Sequence, residues 1–177
     1  MRIELSKKCS NHFTYFDLIQ CSDTLQSIEV DNQPRQLSTL QAIQAIAREI
    51  LDPLKDEFGL ITLTRGFSSA ALTKAISRVK APALDQHAGY EVNKLGNQIC
   101  DRGGMAVDFE GETDSLTLAK YIVSHLPFDR LYFYSENRPV HVSYGPQHSR
   151  AIVVMKKKKN GIGLYPRSTS KEQFLDM

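Results

Sequence analysis

Two short apolar runs each carry one polar residue of a type that can do chemistry. In Met105-Ala106-Val107-Asp108-Phe109, Asp108 alternates against Val107 and Phe109. In Val140-His141-Val142-Ser143-Tyr144, His141 and Ser143 alternate against Val140, Val142 and Tyr144. Successive side chains of a strand point to opposite faces, so a carboxylate and an imidazole fall on polar strand faces where they can meet. Asp101 stands seven residues before Asp108, across the turn Asp101-Arg102-Gly103-Gly104, and its side chain can fold back towards Asp108. Two carboxylates and one histidine make a three-ligand metal set with a position open to water. The same spacing also fits a plain hydrogen-bonded Asp–His pair.

These residues need elements to hold them. A short helix is expected over residues 12–20, carrying Phe13, Phe16 and Leu18, and Val30-Asp31-Asn32-Gln33-Pro34 is rich in turn formers. From Ser38, Leu40, Ile43, Ile46, Ile50, Leu51 and Leu54 recur on one broad helical face, with Ser38 or Thr39 as cap. Pro53 should kink or re-nucleate this helix, and Gly59 should end it. Leu60 to Thr64 reads as a strand by its β-branched content, and 69–79 as a helix. Residues 81–104 lack a period and read as a long loop, of the kind that is commonly functional or disordered. A helix from Ser115 to Leu126 stops before Pro127. Strands at 105–109, 130–134, 140–144 and 151–155 complete a small, mostly antiparallel sheet. Asn160-Gly161 is a hairpin turn leading to a further strand at 162–165. The fold class is therefore α+β, in one domain spanning 1–177, with a polar tail from Ser168 expected to fray.

An ordered set of segments resembles a known family. Asp31-Asn32-Gln33-Pro34 resembles an Asp-Asn-x-Pro turn, and Ile50-Leu51-Asp52-Pro53-Leu54-Lys55 an Ile-Leu-x-Pro-[Leu/Val]-Arg helix end. Ile61 to Ser69 resembles Ile-x-Ile-x-Ser-Gly-Tyr-Arg-Ser. Cys100 to Phe109 resembles the metal motif Ser-x-His-x-x-Gly-x-Ala-x-Asp, and Pro139 to Tyr144 the strand Trp-x-His-x-Ser. In this order, over residues 13 to about 145, the chain resembles the zinc D-Ala-D-Ala carboxypeptidases and L-alanyl-D-glutamate endopeptidases. The resemblance implies the hedgehog/DD-peptidase fold and a zinc-dependent amide hydrolase acting on peptides such as peptidoglycan stems.

The departures from that pattern fall on its chemistry. Gly104, Ala106, Asp108 and His141 match, but the first metal histidine is replaced by Asp101. The general-base glutamate is replaced by Arg138, and the turn arginine by Ser68. A carboxylate in place of a neutral imidazole cancels charge on the ion, weakens it as a Lewis acid, and moves its preference towards harder cations such as manganese. A guanidinium does not deprotonate, so Arg138 is no base. Replacements stand nearby in sequence. His87, in the long loop with Asp85 and Glu91, can supply the missing imidazole. Glu136 can serve as the base, and Arg65 can stand in for the turn arginine. Cys100 reads as a small packed residue.

Composition sets the remaining bounds. With 22 Lys and Arg against 20 Asp and Glu, a charge of +2 gives no general reason to expect a nucleic-acid or membrane partner. Lys156 to Lys159 beside an Asn-Gly turn fit a solvated hairpin end, with nucleic-acid binding as the competing reading. Three cysteines without a Cys-x-x-Cys pair argue for a reducing compartment. Met1 to Lys8 lack the apolar stretch of a secretory signal, so the expectation is a cytoplasmic protein, phage-type and freed at lysis if it acts on cell wall. If the altered site is inactive, the same fold would serve as a peptide- or protein-binding module without metal. His12, His125 and His148 have no partners at metal-like spacing.

Overall fold

The computed structural model describes residues 3–21, 25, 29–76 and 81–177. The first helix, α1 (Tyr15–Ile19), is set by a capping box in which Thr14 and Asp17 satisfy each other's backbone donors. Helix α2 (Leu37–Ile46) passes through a wide turn at Ala47–Leu51 into α3 (Asp52–Phe58). Pro53 falls in the first turn of α3, where its missing N–H costs nothing. The widened turn before it lets the expected long helix continue instead of breaking. The cap expected from Ser38 or Thr39 comes from elsewhere. Buried Glu91 accepts from the N–H groups of Arg35 and Gln36 and from the Thr39 hydroxyl.

Strand β1 (Ile61–Arg65) leads into α4 (Ala70–Ala75), capped by Ser69. The expected continuation of this helix over 77–79 lies outside the described residues. Residues 81–104 form a long connection with single turns at Pro82–Leu84 and Gln86–Ala88. Then follow β2 (Met105–Gly111), α5 (Ser115–His125), β3 (Arg130–Phe133), β4 (Val140–Tyr144), β5 (Ala151–Lys157), β6 (Leu164–Thr169) and α6 (Lys171–Leu175). No helix among the described residues is long and apolar enough to cross a membrane.

The six strands form one sheet in the order β1-β2-β4-β3-β5-β6, with helices beside it, an α+β architecture. Every neighbouring pair is antiparallel except β3 and β5, which run parallel. The inward residues Val107, Phe109, Leu131, Val140, Val142, Ile152 and Val154 join Ile43, Ile46, Ile50, Leu118, Ile122 and Phe174 in one core. Asp108 and His141 alternate against these positions and so lie on the other face.

Two expectations need correction. The C-terminal tail does not fray from Ser168. Residues up to Thr169 pair with β5, and Ser170 and Gln173 form a capping box that starts α6. Phe174 is fully buried, its ring centroid 5.7 Å from that of Phe133. One aromatic anchor outweighed the polar composition around it. The last strand also begins later and runs longer than 162–165, because Gly161 and Gly163 both take positive φ and keep the turn open to Leu164. Lys156 to Lys159 lie exposed at that hairpin end.

Candidate metal centre

Register brings the first two residues together. β2 and β4 pair so that Asp108 stands directly opposite His141, and His141 Nδ1 lies 2.7 Å from Asp108 Oδ1. Tyr132 is the next residue across, on β3, with its ring edge-on to His141 at 5.1 Å. Both side chains keep part of their surface open, 25% for Asp108 and 17% for His141.

The third member comes from the long connection, and it is His87. Asp85 caps the turn Gln86–Ala88 by accepting from the His87 N–H, and the His87 carbonyl accepts from the Ser68 N–H. His87 Nδ1 lies 2.8 Å from the Gly66 carbonyl oxygen. A carbonyl only accepts, so Nδ1 carries a proton, and a neutral ring in that tautomer would present an Nε2 lone pair. That Nε2 is buried, has no hydrogen-bond partner, and lies 3.4 Å from Asp108 Oδ1. The rings of His87 and His141 meet edge-to-face at 5.1 Å. One ligand atom from each of His87, Asp108 and His141 falls within 4.8 Å of the others.

This donor set fits a divalent cation. An imidazole oriented by a backbone carbonyl, with its free nitrogen turned on a second imidazole and a carboxylate, is the usual manner in which a protein prepares a metal ligand. A buried acceptor without a donor is otherwise costly. Burial alone would raise the Asp108 carboxyl. When protonated, the imidazoles of His87 and His141 outweigh it and hold this acid well below the usual carboxylate range. Asp85 behaves alike: burial opposes its charge, but His87 and Arg65 lower it overall.

Asp101 does not belong to the group. The turn at Gly103 and Gly104, both at positive φ, leaves its side chain exposed, while its N–H bonds to the Ala83 carbonyl. Gly104 can take no side chain, since a Cβ there would stand 2.3 Å from the Tyr144 carbonyl oxygen. The converging group is thus two imidazoles and one carboxylate instead of one imidazole and two carboxylates. The charge cancellation argued from Asp101 falls with it.

The other candidates lie at graded distance. Arg65, opposite Asp108 in the β1–β2 register, is tied to Asp85 at 2.8 Å and donates to the buried Ser68 hydroxyl. Glu136 and Arg138 are exposed on the β3–β4 connection, and Arg138 stands 5.9 Å from the Tyr134 ring centroid. Among the described residues, neither side chain hydrogen-bonds to the three-residue group. Cys100 is buried and free, as expected of a packed residue. Outside the site, His12 meets Asp56 at 2.6 Å, His125 meets the Tyr121 carbonyl, and His148 packs on Tyr144. The residue that sequence could not supply is Gly66, since a backbone carbonyl leaves no trace in side-chain spacing.

Comparison of the chain with protein-family models, curated proteins and solved structures gives no match.

Proposed function

We propose that this protein is a metal-dependent amide hydrolase of the peptidase type, with His87, Asp108 and His141 as ligands to zinc. One observation carries the reading: the buried Nε2 of His87, turned towards Asp108 and His141 without a hydrogen-bond partner of its own. Two nitrogens and one carboxylate oxygen suit zinc better than manganese or magnesium, which favour oxygen-rich sets. Bound there, zinc would act as a Lewis acid on a carbonyl and acidify a water.

The chain's own residues do the rest. Gly66 and Asp85 orient His87, and Arg65 is held beside Asp108 by Asp85. The partly exposed sides of Asp108 and His141 give a ligand its approach. Glu136, exposed on the adjoining connection, is the carboxylate we assign to proton transfer. The sequence resemblance supports a peptide substrate, with D-amino-acid peptides of the peptidoglycan stem as the class to try first. A second reading, a peptide-binding module without turnover, is favoured by Arg138, an exposed cation at the place of the family's base.

The test is metal content of protein purified without chelator or affinity metal, followed by hydrolysis of D-Ala-D-Ala and L-Ala-D-Glu peptides. About one zinc per chain, lost in Asp108→Ala and His141→Ala, with cleavage that Glu136→Gln abolishes, supports the hydrolase. Zinc binding and peptide binding without cleavage supports the module. Protein that neither contains nor takes up zinc refutes the metal site.

A further inference from the structure

Beside the metal group lies a buried polar cluster that the hydrolase reading does not use. Gln86, adjacent to His87, is 2% exposed, and Asp129, at the entry to β3, is fully buried. Gln86 Nε2 donates to the Gly103 carbonyl at 2.8 Å and to Asp129 Oδ2 at 3.2 Å. Asp129 Oδ1 accepts from the Ser149 N–H at 3.0 Å. Its carbonyl accepts from the Ser149 hydroxyl and the Ala151 N–H, and its own N–H donates to the Ser143 carbonyl. Gly145 packs so closely that a Cβ there would stand 2.8 Å from Asp129 Oδ2.

Among the described residues, no Lys, Arg or His forms an ion pair with Asp129. A carboxylate taken fully out of water without a cation is costly to the fold. What it holds is informative. Gln86 Nε2 donates to the carbonyl of Gly103, just ahead of the strand that carries Asp108. The same Nε2 also donates to Asp129, whose N–H is bonded to Ser143 on the strand that carries His141. The next residue, His87, is fixed on its opposite side by Gly66 and Ser68. The turn bearing the third ligand is therefore clamped to both strands bearing the other two.

We infer that Gln86 and Asp129 are positioning residues, a buried clamp that sets the place of His87 Nε2 relative to Asp108 and His141. They touch neither metal nor substrate. This rests on the metal reading above for its purpose, but not for its geometry. With the clamp cut, the Gln86–Ala88 turn loses its side-chain bonds to Gly103 and Asp129, and His87 samples orientations that no longer converge on Asp108. Partners of this kind, one shell out from a ligand, are worth about 10–100-fold in metal affinity.

The experiment measures zinc affinity by competition with a chromogenic chelator, together with the tautomer of each histidine from long-range ¹⁵N–¹H spectra. The proteins are wild type, Gln86→Ala, Asp129→Asn and, as a control for simple destabilisation, Phe174→Ala. Asp129→Asn must set its NH₂ against a donor, either Gln86 Nε2 or the Ser149 N–H. The expected result is zinc binding 10–100-fold weaker in Gln86→Ala, weaker also in Asp129→Asn, and unchanged in Phe174→Ala. His87 should give a single Nδ1–H tautomer in wild type and Phe174→Ala, and a mixed one in Gln86→Ala. Zinc affinity within twofold of wild type and an unmixed His87 tautomer in Gln86→Ala would overturn the clamp, as would an equal loss in Phe174→Ala. If wild type takes no zinc, the metal reading fails, and the His87 tautomer alone decides the clamp.

Discussion

Replacing His87 by leucine should separate its cost to the fold from its use to the site. In the metal-free protein His87 contributes one hydrogen bond, Nδ1–H to the Gly66 carbonyl, and one liability, the buried Nε2 without a donor. The bond is worth about 1 kcal/mol net, and the unsatisfied atom costs about 1–3 kcal/mol. Leucine has a similar bulk and neither feature. His87→Leu without metal should therefore be as stable as wild type or up to about 2 kcal/mol more stable. Zinc reverses the order. At a free concentration of about 100 times Kd, binding to the native state alone adds about 2.7 kcal/mol. In a chain of this length each kcal/mol moves Tm by about 2–4 °C, so zinc should raise the wild-type Tm by about 5–10 °C. His87→Leu should show almost none of that rise, and Asp101→Ala, exposed and outside the group, should show all of it. The assay is thermal unfolding of all three proteins with and without added zinc. A zinc-dependent rise in His87→Leu equal to that of wild type would refute the ligand assignment. A rise abolished in Asp101→Ala would return the site to the arrangement expected from sequence. A metal-free His87→Leu destabilised by several kcal/mol would mean that Nε2 has a partner after all.

Other parts of the molecule make sharp predictions too. Phe174→Ala should lower stability by about 3–5 kcal/mol, because a fully buried aromatic leaves a cavity against Phe133; urea unfolding measures it, and a change under 1 kcal/mol would mean α6 is not docked. Burial pushes the Cys9 thiol up to about 12 from an ordinary 9.0. A group raised on folding lends stability that is complete below its unfolded value and is lost as pH climbs towards its folded one. Going from pH 8 to pH 10 should thus cost about 1 kcal/mol through Cys9, and Cys9→Ser should remove that part of the slope in urea titrations. Gly104→Ala should fold poorly, since its Cβ meets the Tyr144 carbonyl at 2.3 Å and its φ of +76° disfavours a side chain; wild-type far-ultraviolet dichroism and Tm in this variant would contradict the close packing there.

Much of the scaffold was legible because its signals are local. Alternation in 105–109 and 140–144 placed Asp108 and His141 on one face, and the pairing of β2 with β4 then needed only register to bring them together. The helix from 37 to 58 followed from its apolar period, and its irregularity from Pro53. What escaped depends on contacts distant in sequence. The cap of α2 is Glu91, more than fifty residues away. The anchor of α6 is a single Phe174 in a polar tail, which composition averages away.

The group of His87, Asp108 and His141 shows the same division most clearly. Asp101 was attractive because it sits at the motif's spacing from Asp108, yet spacing along a chain fixes position only inside a regular element. Between Asp101 and β2 lie Gly103 and Gly104, both in the left-handed region, so the count of residues carries no direction across them. His87, twenty-one residues before Asp108, has no spacing to recommend it. It is placed by partners: Gly66 and Ser68 on one side, Asp85 at its own N–H, Gln86 on the other. A ligand on a loop has to be paid for in such anchors, and the anchors are themselves visible as buried polar residues in a segment otherwise too irregular to classify. Gln86, His87 and Glu91 are all under 6% exposed within the stretch that sequence could describe only as loop. Buried polar side chains in this aperiodic segment therefore point to His87, where motif spacing pointed to Asp101, because satisfying them requires a fixed local geometry.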